Sequence, residues 1–87
     1  MQRVFFEDGI LRFDGEIVEL FPERGPNVRF HMHYIKKIEL VEGRRGVLLM
    51  NLDYGKGGGF SGYIVLPESV DHARQMIAVI EAAKQNY

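Results

Sequence analysis

Val28-Arg29-Phe30-His31-Met32-His33-Tyr34-Ile35-Lys36-Lys37-Ile38-Glu39-Leu40 is the stretch that decides the fold. Over its first six positions apolar and polar residues alternate. Val28, Phe30 and Met32 share one face and Arg29, His31 and His33 the other, which is the period of a strand with one buried side. The apolar trio is assigned to the core. After a bend at Tyr34-Ile35-Lys36, a second run from Lys37 to Glu42 carries Ile38 and Leu40 inward.

Working back toward the N-terminus, the pattern repeats in shorter pieces. Val4-Phe5-Phe6 stops at Asp8-Gly9, Ile10-Leu11-Arg12-Phe13 stops at Asp14-Gly15, and Glu16 to Phe21 ends at Pro22. Asp-Gly favours the type I′ hairpin turn, whose two central positions both need positive φ, so two tight reversals are expected. The polar stretch Pro22 to Asn27 holds two prolines, which exclude continued central pairing and mark a loop available for contact.

Working forward, Gly43-Arg44-Arg45-Gly46 reads as a turn bracketed by glycines. Val47 to Tyr54, apolar on both faces at its start, is the candidate central strand. Gly55-Lys56-Gly57-Gly58-Gly59 reads as a mobile hairpin, and Phe60 to Leu66 as the last strand. The period then changes. Pro67-Glu68-Ser69 offers Ser69 as N-cap, Asp71 suits the positive end of a helix dipole, and Val70, Ala73, Ile77, Ile80 and Ala83 or Lys84 follow helical spacing to about Gln85. The expectation is one domain over residues 1–87: an antiparallel seven-stranded meander over about 3–66, closed by one helix over about 69–85.

Seven short strands followed by one terminal amphipathic helix resemble the pleckstrin-homology-like superfold, including GRAM-like and small bacterial PH-like domains. The likeness is carried by Val28 to Leu40, whose Ile35-Lys36-Lys37-Ile38 is similar to the family's I-x-x-I bend. It is also carried by Gly62-Tyr63-Ile64-Val65-Leu66 leading into the helix that ends Ile77-Ala78-Val79-Ile80-Glu81-Ala82-Ala83. The resemblance implies a half-open barrel capped by the helix. Phosphoinositide-binding members use basic residues around the first inter-strand loop, whereas Phe6 to Arg12 holds Arg12 as its one base beside Glu7 and Asp8. Members without that motif often bind proteins or self-associate, and the resemblance implies such a role here.

With 87 residues, 46% hydrophobic and 26% charged, the composition is that of a folded domain rather than a disordered chain. Cysteine is absent, so neither disulfides nor thiolate metal clusters supplement the core. Eleven Lys and Arg against twelve Asp and Glu give a formal charge of −1, which supplies no global field toward phosphate or anionic lipid. Nucleic acid is therefore not an expected partner. No apolar run approaches the roughly 20 residues that span a bilayer, and the start reaches an acid too soon for a secretory signal, so a cytoplasmic location is expected.

Candidate contact residues are Arg24, Arg29, His31, His33, Lys36, Lys37, Arg44, Arg45 and Lys56. His31 and His33, two apart, have a spacing that metal sites use, but without cysteine or a nearby third ligand the pair is read as a polar face. Lys36, Lys37, Arg44 and Arg45 form a basic patch if strand and turn are neighbours, with Glu39 and Glu42 interleaved. Such a patch gives the alternative expectation, peripheral membrane or anionic-ligand binding, with weak contact to anionic lipid. The glycine run is not a P-loop, because a strand rather than a helix follows it. Phe5, Phe13, Phe21, Phe30 and Phe60 are read as mostly inward-facing core. Ser61 and Ser69 lack a nucleophile elbow, and the carboxylates are scattered. The expected function is a non-catalytic protein-interaction or self-assembly module, with a protein partner or a second copy. No catalytic residue, metal, cofactor or small-molecule substrate is expected.

Overall fold

A computed structural model describes residues 1–55 and 58–85. Seven strands run in chain order: β1 (Gln2–Phe6), β2 (Gly9–Phe13), β3 (Ile17–Pro22), β4 (Val28–His31), β5 (Lys37–Glu42), β6 (Leu48–Gly55) and β7 (Gly58–Ile64). They form two antiparallel sheets, β1-β2-β3-β4 and β5-β6-β7, each a simple meander, followed by α1 (Val70–Lys84). The two sheets do not close into a barrel. They meet at one corner, where Phe6 bridges Val65, the Glu7 amide donates to the Ile64 carbonyl and the Leu66 amide donates to the Phe5 carbonyl.

Alternation along the strands builds the core. Val4, Phe6, Leu11, Phe13, Val18 and Leu20 from the first sheet face Ile38, Met50 and Leu52 from the second, all buried. β6 is the central strand of its sheet, as its doubly apolar start implies. Met32 is buried, while Val28 and Phe30 are half-buried against the core. β4 ends at His31 rather than continuing through His33, because the His33 amide turns back to donate to His31 Nδ1 at 3.1 Å. The Ile35 amide then donates to the Met32 carbonyl, making Met32–Tyr34 a short 3-10 turn.

Neither Asp-Gly dipeptide forms a type I′ turn. Phe6 pairs directly with Gly9, so Glu7 and Asp8 are the central residues of the first turn, and neither has positive φ. In the second, Gly15 alone takes positive φ (107°), while the Asp14 carboxylate accepts the amides of Ile17 (2.8 Å) and Glu16 (2.9 Å). The side chain, not a pair of left-handed residues, holds that reversal.

The described glycines of the glycine-rich stretch belong to strands. Gly55 ends β6, and Gly58 and Gly59 begin β7. A Cβ on Gly58 would lie 2.3 Å from the Tyr54 ring, so the missing side chain is what lets that ring lie flat on the neighbouring strand. Lys56 and Gly57, on which part of the expected mobile hairpin falls, lie outside the described residues.

α1 closes the open side of the sandwich against β1, β5 and the Met32–Tyr34 turn. Its buried stripe is Ala73, Met76 and Ile80, with Val70, Ile77 and Ala83 half-buried beside it. Met76 therefore takes the central place that helical spacing assigned to Ile77. Ser69 is no N-cap. Its side chain makes no capping bond and instead accepts the Phe5 amide at 3.0 Å, tying the start of the helix to β1.

Candidate functional site

Geometry divides the nine candidate contact residues among separate places. Lys36 and Lys37 stand before and at the start of β5, whereas Arg44 and Arg45 form the turn after it. Seven residues of extended chain separate Lys37 from Arg44, roughly 20 Å, so the four cations do not make one patch. Lys37 is further matched by Glu39 at 3.2 Å. Arg24 lies in the loop after β3, lining a shallow groove with Asp8, Pro22, Glu23 and Tyr63. Arg29 lies on the outer face of β4, and Lys56 falls outside the described residues.

His31 and His33 do come together, though through the 3-10 turn rather than through strand alternation. Their Nδ1 atoms are 2.7 Å apart and their ring centroids 4.5 Å. His31 Nδ1 already accepts the His33 amide, so the short contact is satisfied when the His33 ring supplies the proton. The pair is thereby a structural clasp on the turn. Among the described residues no group of three or more His, Cys, Asp or Glu converges, and His72 lines a different cleft, between α1 and β1.

The place where several candidates meet is an open groove of about 650 Å³ beside β4, lined by Phe30, His33, Tyr34, Lys36, Tyr54, Gly55 and Gly58. Phe30 from the first sheet stacks on Tyr54 from the second at 4.4 Å, bridging the gap between the sheets. Tyr34, 57% exposed, stands at the rim with the His33 ring 4.2 Å away. The Lys36 stem lies over Gly55 and adds one positive charge. Aromatic walls with a single cation suit an apolar or extended peptide segment, since rigid rings offer large contact area with little entropy loss. Tyr34 and Tyr54 were not among the residues singled out in the sequence. Only the stacking across the two sheets reveals them.

The edge of β4 adjoins this groove. The Met32 amide donates to the Glu16 carbonyl, so by period two the Phe30 and Val28 amides face β3 while those of Arg29 and His31 face away. At Arg29 that outer edge pairs with no backbone group among the described residues. β5 has a free edge too, but its exposed Lys37 and Glu42 are the charges that protect an edge from pairing.

Two of the five phenylalanines assigned to the core face outward: Phe5, 41% exposed, and Phe21, half-buried, both lie on the outer side of the first sheet. The buried neighbours Val4, Phe6 and Leu20 explain why, because alternation sends Phe5 and Phe21 the other way. Of the two serines, Ser61 is exposed and Ser69 is engaged by the Phe5 amide. No family model, curated protein or solved structure matches the chain.

Proposed function

We propose that this chain is a non-catalytic interaction module of PH-like architecture that takes an extended segment along the outer edge of β4, a second copy of itself first of all. The supporting observation is the juxtaposition of the outer edge of β4 at Arg29, the last strand of its sheet, with the groove lined by Phe30, Tyr34 and Tyr54. Main-chain pairing would supply affinity, and the groove would select side chains, the division of labour seen in β-strand addition. The PH-like kinship rests on the seven antiparallel strands in sheets of four and three, followed by one helix packed across them. Anionic binding through Lys36, Lys37, Arg44 and Arg45 loses its geometric basis, because these residues are spread over the length of β5.

Sedimentation velocity over a wide concentration range, with hydrogen exchange at the highest concentration, tests the proposal. The expected result is a rise in mass with protection appearing at the Arg29 amide. Arg29→Pro removes an outward N–H without breaking the β3 ladder and is expected to abolish the rise in mass. Tyr34→Glu should weaken the rise and the protection alike. A chain that stays monomeric, with the Arg29 amide unprotected, would refute self-association.

A further inference from the structure

On the outer face of the first sheet the register builds two stripes across the strands. Arg3 lies opposite Arg12, Arg12 opposite Glu19, and Glu19 opposite Arg29. Phe5 lies opposite Ile10, and Ile10 opposite Phe21, in a parallel apolar stripe two residues further along the strands of the Arg3–Arg12 end. The stripes are therefore about 7 Å apart, and neighbouring positions within each are about 5 Å apart.

The Arg3–Arg12 pair breaks a local rule. Like charges directly opposite each other destabilise a sheet, and among the described residues neither arginine lies within 4.0 Å of a carboxylate. Arg12 is nevertheless held in place: its guanidinium sits 5.6 Å from the centre of the Phe21 ring, and its Nε is buried without a hydrogen-bond partner among the described residues. Glu19 stands opposite Arg12 and compensates it from the β3 side, whereas Arg3 has only Arg12 opposite it, and a local choice left unfavourable in this way is expected at functional surfaces. An anion placed between Arg3 and Arg12 would resolve the conflict, with Phe5, Ile10 and Phe21 covered at the same time.

We propose that this face docks an acidic amphipathic helix of a protein partner, lying across the strands with carboxylates over Arg3 and Arg12 and apolar side chains over Phe5, Ile10 and Phe21. Residues at i and i+3 or i+4 on a helix are about 5–6 Å apart, which matches the strand-to-strand spacing of the arginines. The width of one helix, about 10 Å, covers both stripes. Glu19 disfavours a third acid in line, while Arg29 beyond it accepts a further one, so the face reads charge position as well as charge. This surface is separate from the β4 edge and its groove, and its test does not depend on them.

The probe is a synthetic Leu/Glu helix with glutamates at i and i+4 on one flank and leucines on the adjacent flank, titrated into labelled protein and followed by amide chemical shifts. Perturbations centred on Arg3, Phe5, Ile10, Arg12 and Phe21 are expected, weakening with salt. Replacing the probe's glutamates by glutamine, or introducing Arg3→Glu with Arg12→Glu, should weaken binding by about tenfold or more. Phe5→Ser, at an exposed site, gives a second variant whose folding is not at risk, and it should also weaken binding. Unchanged affinity in these variants, or no shifts on this face, would overturn the proposal. So would tighter engagement of the same residues by phosphatidylserine vesicles or by an oligothymidylate, which would assign the face to a bilayer or to nucleic acid.

Discussion

Ser69 joins residues 64 positions apart, its Oγ accepting the Phe5 amide at 3.0 Å from a site that is 1% exposed. Ser69→Ala strands that amide, at a cost of about 1–3 kcal/mol in urea unfolding. Because losing an N-cap costs a similar amount, hydrogen exchange decides between the roles: the Phe5 amide should lose protection while the first turn of α1 keeps its own. Serine before a helix is visible in sequence, but a partner in β1 is not, since nothing local couples residue 5 to residue 69. Arg45 shows the same limit. Its turn is legible from the flanking glycines, yet positive φ falls on Arg45 (59°) as well as on Gly46 (74°). Arg45→Gly should stabilise the chain by about 0.5–1 kcal/mol, strain relief outweighing added chain entropy, and raise Tm by a few degrees. Asp14 makes a pH prediction. The amides of Ile17 and then Glu16 hold its carboxyl below the ordinary aspartate value, so the folded state favours the charged form. The resulting stability is present above that value and is lost as pH falls through the lowered folded pKa. Asp14→Asn keeps an acceptor but no charge, so the stability gap between wild type and variant should narrow below about pH 4.

Individual strands are legible because alternation is a local property, and all seven form close to where the period indicates. Their register is not legible, and register is what makes the surfaces. Lys36, Lys37, Arg44 and Arg45 are near one another in sequence and are parted by the length of β5, whereas Arg3, Arg12 and Arg29 are far apart in sequence and stand in one row. The groove is hidden for the same reason, since Phe30 and Tyr54 meet only once the two sheets face each other. Arg3→Glu tests the row as an element: turning a like-charge pair into an opposite one should raise stability by about 0.2–1 kcal/mol. A substitution that strengthens the sheet while weakening docking of an acidic helix is the trade-off expected where a surface is kept for binding. If Arg3→Glu lowers the urea midpoint instead, the two guanidinium groups do not oppose each other across β1 and β2.

At the scale of the molecule, two sheets joined at one corner leave a side that only α1 closes, so the orientation of the helix about its axis decides whether the core is sealed. Helical spacing alone is consistent with Val70, Ala73, Ile77 and Ile80 as the inward stripe, but the sandwich receives Ala73, Met76 and Ile80, with Ile77 half-exposed. Ile77 instead lines the surface groove with Leu40, Glu42, Leu48 and Arg74. The sequence does not distinguish these rotations, because both are apolar and the choice depends on which hollow between β1 and β5 the unbranched Met76 fills. Met76→Ala should therefore cost about 2–5 kcal/mol, the range for truncating a buried large side chain. Against the 5–15 kcal/mol typical of a whole domain, that leaves a marginal fold. Ile77→Ala should cost clearly less, since solvent already reaches that side chain. Paired urea titrations with a common m-value compare them directly, and a larger loss for Ile77→Ala would mean that α1 sits rotated by about 100°, the angle of one residue.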